Sequence, residues 1–147
     1  ALAGAIDRVR AAVPDRSEGA APSSTLVLAA TDPANPYGAA LAWPVRPDDA
    51  GGHRPGRKAG ALVVLVDGAL ALYVERGGRT LLSWGDDPAV LAAAAGELAR
   101  AVKTGVLGRL TVHTADGASV LAPDSTLGRA LEQAGFVATP QGLRLRP

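Results

Sequence analysis

The side chains best suited to chemistry in this sequence form one basic segment, His53-Arg54-Pro55-Gly56-Arg57-Lys58. It places three fixed positive charges within five positions, and such groups can hold a phosphate. Arg76 and Arg79 follow shortly afterwards, and aromatic rings could add surfaces on which bases stack. These rings belong to Tyr37, Trp43, Tyr73 and Trp84. The same residues also fit a solvated loop that leads into a strand, with the rings filling a core.

Other chemistries lack the residues that they need. The sequence contains no G-x-x-x-x-G-K-[ST] loop, no G-x-G-x-x-G after a strand and no G-x-S-x-G motif, which excludes an ATPase site and leaves a hydrolase triad without an anchor. His53 and His113 have no neighbouring ligands, so no zinc site is predicted. The paired carboxylates Asp48-Asp49 and Asp86-Asp87 suit an exposed loop and a helix cap. We predict no catalytic residue and no metal site.

A predicted three-stranded meander positions the basic segment. Its strands are Ala61–Val66, Ala69–Glu75 and Thr80–Trp84. Asp67-Gly68 and Gly77-Gly78 separate them, and both dipeptides suit two-residue hairpin turns, which need positive φ.

The remaining elements alternate between strands and helices. Helices are predicted from Asp86-Asp87-Pro88 to about Lys103 and from Asp124-Ser125 to Gly135, each with a capping residue and an apolar stripe. Further short strands are predicted at Thr25–Ala30, Ala39–Trp43, Leu107–Thr114, Ala118–Ala122, Phe136–Thr139 and Gly142–Arg146. Because tight turns dominate, we predict an α+β fold, with a mainly antiparallel curled sheet or β-barrel-like module and two packed helices.

Length and composition fit one globular domain. The chain has 147 residues, of which 48% are hydrophobic and 3% aromatic, a net charge of +1 and no Cys. No apolar run is long enough to span a bilayer, and no signal peptide is visible. We predict that 1–13 is the end of an upstream helix, 14–24 a linker or loop and 25–147 the domain. The absence of any Met suggests a piece of a longer polypeptide.

Several segments in order resemble a known family. They are Ala30–Gly38 (ATDPANPYG), Leu41–Pro44 (LAWP), the stretch from Arg54 to Trp84, and the C-terminal GRLTVHTADGASVL and LEQAGFVATPQGLRLRP. Together they resemble the C-terminal region of the large helicase-related (Lhr) family of bacterial superfamily 2 DNA helicases. The resemblance runs from about Thr25 to Pro147.

The resemblance implies a parent protein that unwinds DNA or RNA–DNA duplexes in the 3′-to-5′ direction and has a role in DNA repair. ATP and Mg²⁺ would be bound in its upstream helicase core, and no cofactor is expected in this chain. The region would follow winged-helix domains, would share its architecture with a family of DNA glycosylases and would mediate self-association. The glutamine motif of those glycosylases has no counterpart here, since Gln133 and Gln141 are the only Gln residues.

Three functional hypotheses follow. The first is a non-catalytic nucleic-acid-binding and assembly module, with DNA, the winged-helix domains and a second copy as partners and no membrane contact. Its predicted phosphate contacts are Arg54, Arg57, Lys58, Arg76 and Arg79, and its predicted stacking residues are Tyr37 and Trp84. The second is a part in base excision, for which Asp67 and Asp116 are poor candidates because both lie in predicted turns. The third is a purely structural oligomerisation module. The predicted location is the cytoplasm, with the nucleoid.

Overall fold

Residues 22–45 and 54–147 are described by a computed structural model of the chain, and they form an α+β fold of two sheets and two helices. The strands are β1 (Thr25–Ala29), β2 (Leu62–Val66), β3 (Ala69–Val74), β4 (Thr80–Ser83), β5 (Leu110–Val112), β6 (Thr114–Ala115), β7 (Ala118–Ser119), β8 (Val137–Ala138) and β9 (Leu143–Leu145). The helices are α1 (Pro88–Lys103) and α2 (Thr126–Gln133). The predicted upstream helix, most of the predicted linker and residues 46–53 lie outside the described residues.

The sheets do not close into a barrel. The larger sheet has the strand order β1-β2-β3-β4-β6-β7 and the smaller one β5-β9-β8, and the two edges of each stay open among the described strands. Pairing is antiparallel except between β4 and β6, which run parallel. The α+β class and the curled antiparallel strands are therefore confirmed, whereas the barrel-like closure was wrong.

The predicted meander is present as β2, β3 and β4. Asp67 and Gly68 have φ values of 51° and 83°, as the predicted hairpin turn requires. The second turn differs from the prediction. Because the N–H of Glu75 bonds the carbonyl of Thr80, the strands stay paired until a four-residue loop, 76–79, instead of a two-residue turn at Gly77-Gly78.

One face of the larger sheet packs against α1. The helix begins as predicted, with the Asp87 carboxylate accepting a hydrogen bond from the N–H of Ala89 and Pro88 in the first turn. Its buried stripe includes Leu91, Leu98 and Val102. These side chains join apolar residues of both sheets, among them those of β2 and β3, in one core. In the described ranges, no helix is long and apolar enough to cross a bilayer.

The other face of the larger sheet is covered by the loop of residues 31–45. Tyr37, Leu41, Trp43 and Trp84 pack there on Val63, Leu65, Tyr73 and Leu82. The predicted strand Ala39–Trp43 is absent: this stretch holds turns and a single bridge between Tyr37 and Leu41. Since Gly38 has a φ of 79°, the backbone reverses instead of extending.

The predicted strand Leu107–Thr114 is divided between the two sheets. β5 pairs with β9, and β6 pairs with β4 and β7. At the division, the backbone N–H groups of His113 and Thr114 both donate to the carbonyl of Arg79, at 2.8 and 3.1 Å. This junction brings the 76–79 loop against the start of the smaller sheet.

Candidate nucleic-acid interface

Arg57, one of the predicted phosphate contacts, holds the 31–45 loop. Its Nη1 donates to the carbonyls of Asn35 and Tyr37, at 2.8 and 3.1 Å. Its Nη2 donates to the carbonyls of Asp32 and Thr31, at 3.2 and 3.4 Å. A guanidinium fork that already serves four backbone acceptors has few donors left for a phosphate. The geometry gives Arg57 a positioning role in the fold.

Asn35 completes this network from inside the loop. It is 1% exposed, its Nδ2 donates to the carbonyls of Ala30 and Tyr37, and its Oδ1 accepts from the N–H of Tyr37 at 3.1 Å. Buried amides of this kind need such partners, because an unsatisfied one costs about 1–3 kcal/mol. No role of Asn35 was predicted from the sequence.

The ring of Tyr37, a predicted stacking residue, lies in the core. It is 5% exposed, and its hydroxyl donates to the carbonyl of Gly68 and accepts from the N–H of Leu70, at 3.1 and 3.2 Å. Burial raises the pKa of the phenol above its ordinary value, and the hydrogen bond from the N–H of Leu70 opposes this shift. Tyr37 also stacks on Trp43, which meets Tyr73 edge-on.

Trp84, the other predicted stacking residue, is half-buried at the margin of the same core. Its indole N–H donates to the carbonyl of Pro44 at 3.0 Å, which ties the end of β4 to the far end of the loop. The described contacts of both predicted stacking residues are thus structural.

The remaining predicted cations gather at one end of the meander, which we call the basic edge and define as Arg54, Lys58, Arg76 and Arg79. All four are exposed. Lys58 Nζ lies 3.4 Å from the carbonyl of Arg54 and 3.8 Å from a Glu75 carboxylate oxygen. The side chain of Arg76 passes over Gly60, where an added Cβ would lie 2.8 Å from Arg76 Cγ. A contact such as Lys58–Glu75 at the surface is weak, so Lys58 stays available to a ligand.

Arg79 also lines a cleft of about 480 Å³ at the junction of the two sheets. Its lining residues are Gly77, Arg79, Arg109, Thr111, His113 and Gln141. From the sequence, His113 was considered only as a zinc ligand, and no role was predicted for Arg109. The alternation of Arg109, Thr111 and His113 with buried Leu110 and Val112 is the signal that could have grouped them.

The carboxylates considered for base excision are used in folding contacts. Asp67 Oδ1 accepts from the backbone N–H groups of Ser23 and Ser24 and from the Ser23 hydroxyl, at 2.8–2.9 Å. Asp116 accepts from the N–H and the hydroxyl of Ser83. Asp116 also lines a second cavity, of about 290 Å³, together with Asp86 and Asp124. Within residues 22–45 and 54–147, no group of His, Asp or Glu is arranged to hold a metal ion.

Comparison with known proteins gives the family. The chain is 50% identical, over 155 aligned positions, to a protein of Mycolicibacterium smegmatis named "Lhr helicase/probable uracil glycosylase". This chain belongs to the Lhr family, as the resemblance of its motifs to the C-terminal region of those proteins predicted. It is also 35% identical, over 120 positions, to the Escherichia coli "Lhr helicase/uracil glycosylase". No protein-family model matches it.

The match covers only a small part of these Lhr relatives. It takes in 99% of this chain but 10% of the mycobacterial protein, and 80% of this chain but 7% of the Escherichia coli protein. The activities in these names therefore belong to much longer proteins. Evidence for the function of this chain has to come from its own surface residues. On those surfaces, Lys58 lies beside Arg54, and Arg76 and Arg79 bound the 76–79 loop at the same end of the meander. The described contacts of Arg57, Tyr37 and Trp84 instead hold the 31–45 loop and the core beneath it.

Proposed function

We propose that this chain is a non-catalytic nucleic-acid-binding and assembly module of an Lhr-type helicase. The observation that carries the proposal is the basic edge, four exposed cations at one end of the meander, in a chain whose relatives are named helicases. Cations of this kind contact phosphates independently of sequence, which suits a protein that must travel along a strand.

In this proposal the energy source lies elsewhere in the parent protein. ATP and Mg²⁺ would bind to a helicase core outside this chain, and the module would hold single-stranded DNA or an RNA–DNA hybrid near that core and near winged-helix domains. A nucleic-acid partner would place the parent protein in the cytoplasm with the nucleoid, and repair would be its task.

The basic edge is tested with Lys58→Gln and Arg76→Gln together. Each neutralised phosphate contributes about −0.7 to the slope of log K against log salt for a single strand. Without these two contacts we expect the slope to be shallower by about 1.4. At low salt the affinity for an oligothymidylate should drop about tenfold. Fluorescence anisotropy of a labelled oligonucleotide across a salt series measures both quantities.

The matched control is Lys103→Gln with Arg129→Gln, which also removes one Lys and one Arg, from exposed positions at the end of α1 and in the middle of α2. We expect this control to keep the affinity and slope of the unchanged chain. If both double variants lose the same affinity, net charge and not the basic edge governs binding, and the proposal fails.

A second candidate is a part in base excision, favoured by the names of the relatives and by the second cavity with Asp86, Asp116 and Asp124. Excision needs a carboxylate or amide free to activate water at a flipped base. Ser83 donates to both oxygens of Asp116, and Asp86 and Asp124 are exposed to solvent, so we expect no uracil release from a uracil-containing oligonucleotide by the 147-residue chain. Release that disappears in Asp124→Asn or Asp116→Asn would establish the second candidate instead.

Assembly would use the open edge of β1, which has a single partner strand among those described. Its Leu26 is 54% exposed, and a strand edge of this kind can pair with another chain. A module that only assembles predicts a mass that rises with concentration and no salt-dependent binding of DNA.

A further inference from the structure

The outer face of the smaller sheet is basic. Alternation along β5 and β9 turns four residues into the core, and these are Leu110, Val112, Leu143 and Leu145. Thr111 and Arg144 are direct partners across the two strands and lie on the opposite face. By the same alternation, Arg109 and His113 share this outer face with them.

The 76–79 loop of the larger sheet closes one side of this face and produces the 480 Å³ cleft described above. The carbonyl of Arg79 accepts from the N–H groups of His113 and Thr114, so the backbone that carries Arg79 is fixed at the junction of β5 and β6. Gln141, in the turn between β8 and β9, lies on the lining too. Three separate chain segments therefore converge on the cleft.

The lining residues are donors, and none is a carboxylate. Arg79 and Arg109 each present a guanidinium, and Thr111 and Gln141 add a hydroxyl and an amide. In the described part of the chain no Asp or Glu forms an ion pair with Arg79 or Arg109. Two like charges that share a cleft repel each other, and an anion placed between them would relieve that repulsion.

We propose that this cleft binds phosphate groups of the nucleic-acid strand and continues the basic edge onto the smaller sheet. Arg79 belongs to both surfaces, so a strand that contacts Lys58 and Arg76 can pass over Arg79 to Arg109. Arginine is suited to this role because its planar fork pairs with two phosphate oxygens at once. The inference rests on the proposed function, because it names further phosphate contacts of the same module.

An acidic polypeptide is the competing macromolecule, since its carboxylates also pair with guanidinium groups. The strand is favoured by the continuity of the cleft with the basic edge through Arg79 and by the helicase names of the relatives. Polyglutamate of matched charge therefore serves as the competitor in the test.

The test variant is Arg109→Gln in the 147-residue chain, with a labelled oligothymidylate as the probe. We expect the affinity to drop about fivefold at low salt, and the slope of log K against log salt to be shallower by about 0.7. Arg129→Gln is the control, because it removes one guanidinium from the exposed face of α2. In ¹⁵N spectra of the unchanged chain, the amides of Thr111, His113 and Gln141 should shift on addition of the oligonucleotide.

Each other outcome contradicts the inference in a distinguishable way. If Arg109→Gln matches Arg129→Gln while Lys58→Gln with Arg76→Gln still weakens binding, the cleft is not a contact and the proposed function stands. If the unchanged chain binds no oligonucleotide, both proposals fall. If polyglutamate displaces the oligonucleotide at equal charge concentration, the cleft is a site for acidic polypeptides.

Discussion

Replacing Arg57 with lysine should destabilise the chain by about 2 kcal/mol and replacing it with alanine by about 3 kcal/mol. The guanidinium donates to four carbonyls between Thr31 and Tyr37. An ammonium is a point charge that cannot span these acceptors, so Arg57→Lys keeps the charge but loses most of the bonds. The 31–45 loop should then detach from the face that contains Tyr73.

Urea-induced unfolding followed by tryptophan fluorescence measures this effect directly, because Trp43 lies in the loop and Trp84 donates to its Pro44 carbonyl. The native emission should also move towards that of a solvated indole. Lys58→Gln is the control and should change stability by less than about 0.5 kcal/mol, since its only described carboxylate contact is at the surface.

The Arg57 variants also separate the structural role from the role that the sequence predicted. A phosphate contact would tolerate lysine in stability and lose part of its DNA affinity. If Arg57→Lys unfolds at the same urea concentration as the unchanged chain but binds DNA more weakly, the original prediction of a phosphate contact is correct and our assignment is wrong.

Gly142→Ala should cost about 3 kcal/mol or more, or prevent folding. Gly142 lies where β9 passes β5, and an added Cβ would overlap the carbonyl oxygen of Val112 and come within 3.1 Å of the Cα of His113. Backbone atoms cannot rotate away as a side chain can, so the two strands would have to separate. Thermal and chemical unfolding give the size of the loss.

Gly96→Ala is the control, and we expect it to raise stability where Gly142→Ala lowers it. Gly96 is exposed in the middle of α1, and nothing lies within 4 Å of a Cβ added there. Alanine favours helix over glycine, so this variant should gain about 0.5–1 kcal/mol. A Gly142→Ala variant as stable as the unchanged chain would mean that β5 and β9 are not as closely spaced as described.

The parts of the fold that local chemistry determines could be predicted. Asp67-Gly68 and Asp116-Gly117 adopt positive φ at both residues, and Asp87 and Ser125 cap the helices where the sequence places them. The three strands of the meander follow because uninterrupted apolar runs between such turns suit a sheet that is covered on both faces.

The parts that depend on distant residues could not be predicted. The stretch Ala39–Trp43 has the composition of a strand, but Arg57 and Asn35 hold the preceding residues in a loop that covers the sheet. Likewise, no local signal divides the run Leu107–Thr114 at His113, because the division depends on the carbonyl of Arg79. Turn length at Gly77-Gly78 depended on how far β3 and β4 stay paired.

The candidate site shows the same limit. The clustering of charge in the sequence places Lys58 near Arg54, and the two are in contact. It does not distinguish a guanidinium that faces solvent from one, such as that of Arg57, that donates to backbone carbonyls. Nor can it place Arg79 beside Arg109, because the two meet only where the sheets join. The predicted phosphate contacts stay a prediction, and the structure adds Arg109 to the residues that the DNA-binding experiments must test.

The most direct test of the central claim is the affinity of the 147-residue chain for single-stranded and duplex DNA across a salt series, with sedimentation of the same samples. The account predicts binding at micromolar concentration or tighter and a log K that falls steadily with log salt. No binding at any salt concentration, together with a discrete oligomer in sedimentation, would contradict it and leave the chain an assembly module.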